Sequence, residues 1–179
     1  RLIGLPLLVL SFASGCNAIM SRATAGLAED LSAAILNNDD PQIVESGAPA
    51  FLIILDGLLN SSPDNPALLA AAATLNSSFA TAFVDDEARR GRLATKAFDL
   101  ARRASCVELE WTCGIRELSF QQVEAALANT EESDVAALYA LSSAWAGWIQ
   151  AHSSDWAAIA QLANVKAIMG RVAELDEAY

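Results

Sequence analysis

Apolar residues recur at intervals of three and four positions along most of this 179-residue chain, which is the spacing of the buried face of an α-helix. Ala and Leu dominate the apolar set, and no run alternates Val, Ile, Thr or aromatic residues with polar ones as a β-strand would. Hydrophobic residues make up 54% of the chain, which is enough for one well-buried core and too many for a disordered protein. The pattern therefore predicts an all-α protein.

Two Asx-Pro pairs mark helix starts, because Asp and Asn cap helix N-termini and proline is favoured at the first helical position. They are Asp40-Pro41 and Asn65-Pro66. After the first, we expect a helix over 42–60 that kinks or restarts at Pro49, since proline removes an intrahelical hydrogen bond. The remaining predicted helices cover 24–37, 66–83, 85–104, 119–128, 134–151 and 155–175.

Three helix pairs have similar lengths. The pairs over 24–60, 66–104 and 134–175 each span roughly 37 to 42 residues, near the period of tetratricopeptide (TPR) repeats. The motif is degenerate: Pro66 stands where a repeat begins and the small Ala72 where helices approach, but Glu177 replaces the usual terminal proline. We expect stacked antiparallel helical hairpins that form a degenerate TPR-like α-solenoid.

The N-terminal segment is typical of an export signal. Residues 2–13 are apolar and uncharged, and a run of about a dozen is shorter than the roughly 20 residues that cross a bilayer. Ala13-Ser14-Gly15-Cys16 follows and resembles a lipobox, which would make Cys16 the acylated first residue of the mature protein. The alternative is an ordinary secretory signal with an incidental cysteine. We expect a signal peptide over 1–15, a helical domain over 16–179, and a lipid-anchored periplasmic protein. Asn17 favours the outer membrane by resemblance to enterobacterial sorting rules.

Two further cysteines, Cys106 and Cys113, would share that oxidising compartment, where cysteine pairs commonly bridge. In one continuous helix this separation would place their Cα atoms roughly 10 Å apart, too far for a disulfide. A bridge therefore requires a break in the helix, which the turn that ends at Gly114 could supply. Two buried free thiols are an equally open alternative.

Charge and motif content exclude several classes of function. Eleven Lys and Arg against 22 Asp and Glu give a net charge of −11, which argues against nucleic acid as a partner. One histidine and three cysteines are too few for a His- or Cys-based metal site, and no cofactor is expected. The chain has no HExxH, phosphate-binding glycine loop, GxSxG or oriented Cys–His pair, so we do not expect an enzyme.

Six of the eleven basic residues lie between positions 89 and 103. Two interpretations are open: a patch that meets an acidic partner or lipid headgroups, and a solvated helix face.

Five segments in order resemble the TatT component family of tripartite ATP-independent periplasmic (TRAP) transporters. They are SGC, SGAPAFLIILDGLLNSSPDNPALLAAAATLNSSFATAFVDD, RLATKAFDLARRA, DVAALYALSSAWAGWIQA and VKAIMGRVAELDEAY. The resemblance covers nearly all of the mature chain. It implies a TPR-like periplasmic lipoprotein that associates with the transporter's solute-binding protein, forms a homotrimer and handles a hydrophobic small molecule in a helical channel. The family continues past the position of Tyr179, so we expect the helical domain to be truncated at its C-terminal end.

The resemblance also implies which residues form a ligand or partner surface. Tyr139, Trp145 and Trp148 match its aromatic motif, and Phe79 and Phe83 are further candidates. Large rings with a polar tip suit an amphipathic solute. The alternative is that these side chains form the core of a hairpin, since their spacing is helical. A second function also stays open: an envelope scaffold that binds a protein helix and no small molecule.

Overall fold

The computed structural model describes residues 26–28 and 30–177, and these form helices and turns without a β-strand. The prediction of an all-α fold is confirmed for this part of the chain. The predicted signal peptide and Cys16 lie outside the described residues. In chain order the helices are α1 (26–28 and 30–36), α2 (Pro41–Ser61), α3 (Pro66–Phe83), α4 (Glu87–Glu108), α5 (Phe120–Leu127), α6 (Val135–Ala151), α7 (Trp156–Ile159) and α8 (Leu162–Leu175). Short 3₁₀ segments cover Glu110–Glu117 and Glu132–Asp134.

The predicted helix starts are confirmed by their hydrogen bonds. The Asp40 carboxylate accepts from the backbone N–H groups two and three positions further on, and the Asn65 side chain accepts from the N–H three positions on. Ser119 and Gln122 form a reciprocal capping box at the start of α5. Each cap satisfies N–H groups that have no partner inside the helix.

Pro49 does not restart the second helix, which runs continuously from Pro41 to Ser61. Proline has no N–H to donate to the carbonyl of Glu45, four positions earlier. Glu45 is exposed, so water can reach that region of the backbone. Burial of the opposite face, at residues such as Phe51 and Leu55, holds the helix together across the missing bond.

The prediction of one helix over 155–175 is wrong, because the chain turns at Ala160 and Gln161 and separates α7 from α8. The turn is fixed by a tertiary contact. Gln161 Oε1 accepts a hydrogen bond of 2.9 Å from Nε1 of Trp145, whose side chain is completely buried. A buried indole N–H needs an acceptor, and the break places one there.

Consecutive long helices pack as antiparallel hairpins. Arg103, near the end of α4, contacts Pro63 and Asp64 just before α3, so these two helices run in opposite directions. In the same way, Arg171 of α8 donates to the carbonyl of Thr130, before α6, at 2.8 Å. Helix α4 also packs on α6, and α3 on both α2 and α6. The described helices therefore form a stack of hairpins; that the stack is a TPR-type solenoid stays a prediction.

Two clusters of buried apolar side chains hold the stack together. The first lies among α1, α2, α3 and α4 and includes Leu55, Leu68 and Leu69. The second joins α4, α6 and α8 and is centred on Phe98, whose ring stacks on Trp145 with centroids 5.1 Å apart. Because α4 contributes to both clusters, it connects the two halves of the domain.

The structure places Cys106 and Cys113 in a disulfide, with their Cα atoms 4.7 Å apart. Helix α4 ends at Glu108 between them, and the 3₁₀ segment Glu110–Glu117 folds back against the end of α4. This is the break in the helix that a bridge requires. Arg102 Nη1 also donates to the Cys113 carbonyl at 2.6 Å.

Candidate ligand and partner groove

One side of the stack carries an open groove with a volume of about 540 Å³. Its walls come from the first helix of each hairpin, α1, α3 and α6. Ala, Ser and Thr line it almost throughout, joined only by Leu36 and Tyr139. Because the three helices are far apart in sequence, the groove exists only when the hairpins are stacked.

Short side chains create this space. On α3 the lining positions are 67, 70, 71, 74, 77 and 78, and on α6 they are 136, 139, 140, 143 and 144. Their spacing of three and four places them along one face of each helix. Gly147 then lets α6 approach α3 closely, since a Cβ atom there would lie 2.9 Å from Oγ of Ser77. The groove is therefore lined by short side chains and lies beside a close contact between α3 and α6.

The groove is uncharged, although the chain has a net charge of −11. No Asp, Glu, Lys or Arg occurs among the described residues that line it, and its polar groups are hydroxyls. An apolar lining with a few hydroxyl groups suits an uncharged or amphipathic chain, because an unpaired charge would lose its hydration there without gaining a counter-charge.

The structure places the five predicted aromatic residues in three locations: the groove, a smaller pocket and the second core cluster. Tyr139 lines the groove and is 43% exposed. Phe79 and Phe83 line a smaller pocket of about 220 Å³ between α1, α2 and α3, with ring centroids 5.7 Å apart. The pocket and the groove share Leu36 and Ser78 in their walls. Three of the five predicted residues thus lie on connected concave surfaces.

Trp145 and Trp148 lie elsewhere, in the second core cluster. Trp145 is fully buried and Trp148 is 7% exposed, so neither lines the groove. Both side chains therefore belong to the core of a hairpin. This is the alternative that was given above because their spacing is helical. Trp148 is covered on its outer side by the guanidinium of Arg116, 4.8 Å from the ring centroid, and it stacks on His152 at 4.7 Å.

Most basic residues of α4 are used inside the domain. Lys96 forms an ion pair of 2.6 Å with Asp56 of α2, and the Arg90 side chain donates to the carbonyls of Val84 and Asp85. Arg102 and Arg103 bond to backbone carbonyls, as described above. These contacts link α4 to neighbouring elements. The four basic residues therefore form neither a free cationic patch nor a face that is only solvated.

One described helix, α2, is long and apolar enough to cross a bilayer by length and composition alone. Only 28% of its most apolar window is buried, and Ile43, Ile53 and Ile54 are exposed. The opposite face packs on α3. Length and composition are weak evidence for a membrane span, whereas the exposed isoleucines show that α2 presents an uncovered apolar surface.

Hairpins stacked around an uncharged groove define the protein as an all-α protein with a concave binding-type surface and no recognised catalytic constellation among its described residues. Residues 37–179 match the TAtT family, TRAP transporter T-component, and the chain belongs to that family. The family is an accessory component of a transport system and not a family of enzymes. A search of curated proteins gave no match.

Proposed function

We propose that this T-component is a periplasmic lipoprotein that binds the solute-binding protein of its transporter over the groove between α1, α3 and α6 and holds a hydrophobic or amphipathic molecule in that groove. The observation that carries the proposal is the groove itself, an uncharged cavity of about 540 Å³ in a strongly acidic chain. Family membership supplies the transport context.

The proposed compartment is supported by two features. The sequence Ala13-Ser14-Gly15-Cys16 resembles a lipobox, and the Cys106–Cys113 disulfide is typical of oxidising compartments. Lipid attached at Cys16 would hold the domain at a membrane surface, and Asn17 favours the outer membrane. Mass spectrometry of protein expressed with its own signal should find acyl chains on Cys16. A mature N-terminus without lipid would refute the anchor.

The proposed trimer needs a surface through which copies can meet. The exposed face of α2 is a candidate, because it carries the exposed side chains of Ile43, Ile53 and Ile54. Sedimentation equilibrium of the purified protein should give three times the protomer mass. A monomer at micromolar concentration would contradict the proposal.

Native mass spectrometry of protein purified under mild conditions tests ligand binding. We expect a co-purifying apolar molecule that is lost in Ala136→Trp, which fills the groove from α6, and kept in Ala163→Trp, which adds the same bulk to an exposed position of α8. Recovery of the solute-binding protein with repeated absence of any ligand would favour the scaffold alternative.

A further inference from the structure

The segment that follows α4 combines a covalent link with an unsatisfied polar group. Cys113 is joined to Cys106, and the segment Glu110–Glu117, here called the latch segment, folds back onto α4. Within it, Nε1 of Trp111 is buried and has no hydrogen-bond partner in the described part of the chain. A buried N–H without an acceptor destabilises the arrangement that contains it.

Several contacts stabilise the folded latch segment although the N–H of Trp111 has no acceptor in the described part of the chain. Ser105 Oγ donates to Oγ1 of Thr112 at 2.9 Å, and the Arg102 guanidinium donates to the carbonyl of Cys113. Further along, Ile115 is completely buried in the second core cluster. The C-terminal end of the segment is therefore anchored by a fully buried side chain. The apolar packing of residues 109–113 on that cluster comes only from the partly buried Leu109 and Trp111, beside the disulfide and the polar contacts.

We propose that the Cys106–Cys113 disulfide is a redox-sensitive latch whose reduction opens residues 109–113 and releases the indole of Trp111, while the stacked helices stay folded. In a continuous helix the two Cα atoms would be roughly 10 Å apart instead of 4.7 Å, so the bridge forbids α4 to continue past Glu108. Once it is broken, the segment can open and the indole N–H can reach water.

The chemistry requires a dithiol reductant, such as a thioredoxin-like oxidoreductase of the same compartment. One of its thiolates attacks a cysteine sulfur, which forms a mixed disulfide and releases the other cysteine as a thiolate. Its second thiolate then attacks the reductant sulfur of the mixed disulfide, closes the reductant's own disulfide and releases the remaining cysteine thiolate. Two electrons pass from the dithiol to the cysteine pair, which takes up two protons and becomes two thiols, while the reductant becomes a disulfide. Both cysteines are partly exposed, so a reductant can reach them. The inference takes only its compartment from the proposed function.

Hydrogen exchange with the intact protein tests the latch, with dithiothreitol as the dithiol and alkylation to verify two free thiols. We expect amide exchange over 109–113 to rise at least tenfold on reduction, and exchange over 135–149 in α6 to change less than twofold. The Cys106→Ser/Cys113→Ser variant should behave like the reduced protein. Unchanged exchange over 109–113 with both thiols free would overturn the latch, and so would an equal rise in α6, since the bridge would then stabilise the whole domain.

Tryptophan fluorescence gives an independent readout. Reduction should change the emission of the wild-type protein, and Trp111→Phe should abolish that difference while leaving the other three tryptophans in place. A difference that persists in Trp111→Phe would contradict the release of Trp111. Neither measurement involves the groove or a partner, so failure of the latch leaves the proposed function standing.

Discussion

Two residues distant in sequence, Trp145 and Gln161, depend on each other. The indole of Trp145 is fully buried, and its N–H is satisfied by the Gln161 side chain at 2.9 Å. The same Gln161 also donates to the carbonyl of Ala157 at 3.2 Å, so one amide connects α6 to the turn between α7 and α8. The contact therefore stabilises both a core residue and a helix boundary.

Replacement of this amide should destabilise the domain. Gln161→Ala leaves the buried indole N–H without an acceptor, and we expect the free energy of unfolding to fall by about 1–3 kcal/mol. Gln161→Glu keeps an acceptor oxygen and should retain most of the stability. Urea denaturation of both variants measures the difference. Equal stability of Gln161→Ala and the wild-type protein would show that the indole finds another partner.

Gly147 and Ser77 should show coupled effects on stability. A Cβ atom at position 147 would lie 2.9 Å from Oγ of Ser77, and it would meet no other atom of a described neighbouring helix within 4 Å. In a Ser77→Ala background, Gly147→Ala should therefore stabilise the domain by about 0.5–1 kcal/mol through helix propensity. In the wild-type background the gain should be smaller or reversed, because the hydroxyl must rotate away. Additive effects in a double-mutant cycle would contradict this close contact.

The structural roles of some of these residues can be predicted from the sequence, and the roles of others cannot. The caps at Asp40 and Asn65 are local, since the acceptor and the N–H groups lie within three positions, and they were predictable. Trp145 and Tyr139 lie on the same helix six positions apart, which places them on different faces, and one is core while the other lines the groove. Periodicity identifies an apolar face but not whether a neighbouring helix covers it.

At the scale of helices, α2 shows that tertiary packing can keep a helix continuous through a proline, which has a very low helix propensity. Pro49 lies inside a continuous helix and cannot donate to the carbonyl of Glu45. Pro49→Ala restores that N–H, so we expect a higher melting temperature and a gain of up to about 3 kcal/mol. Ala50→Pro, at the exposed neighbouring position, is the matched control and should lower stability. No gain in Pro49→Ala would mean that the backbone at this point does not accept the additional bond.

The helix boundaries divide into local and tertiary cases. Starts at Pro41 and Pro66 were predicted because their signals are short in range. The break at Ala160 and Gln161 was missed, since nothing near it in sequence indicates that a buried indole from α6 requires an acceptor there. Helix α4 ends at Glu108, four residues after the predicted end at 104, and the sequence left open whether Cys106 pairs with Cys113.

At the scale of the whole molecule, the groove is a product of stacking. Its walls are α1, α3 and α6. The sequence of each of these helices, taken alone, is that of an ordinary helix with many small residues. The sequence predicted three hairpins but could not show that the small faces of their first helices would meet on one side. Packing of α6 on α3, which are far apart in sequence, brings two of these faces together.

The most direct test is calorimetric titration of the T-component with the solute-binding protein of its transporter. Ala136→Trp places an indole in the groove, and Ala163→Trp places one on an exposed part of α8. We expect Ala136→Trp to weaken binding at least tenfold at unchanged thermal stability, and Ala163→Trp to bind like the wild-type protein. Equal affinity of all three proteins would contradict the claim that the groove between α1, α3 and α6 is the functional surface.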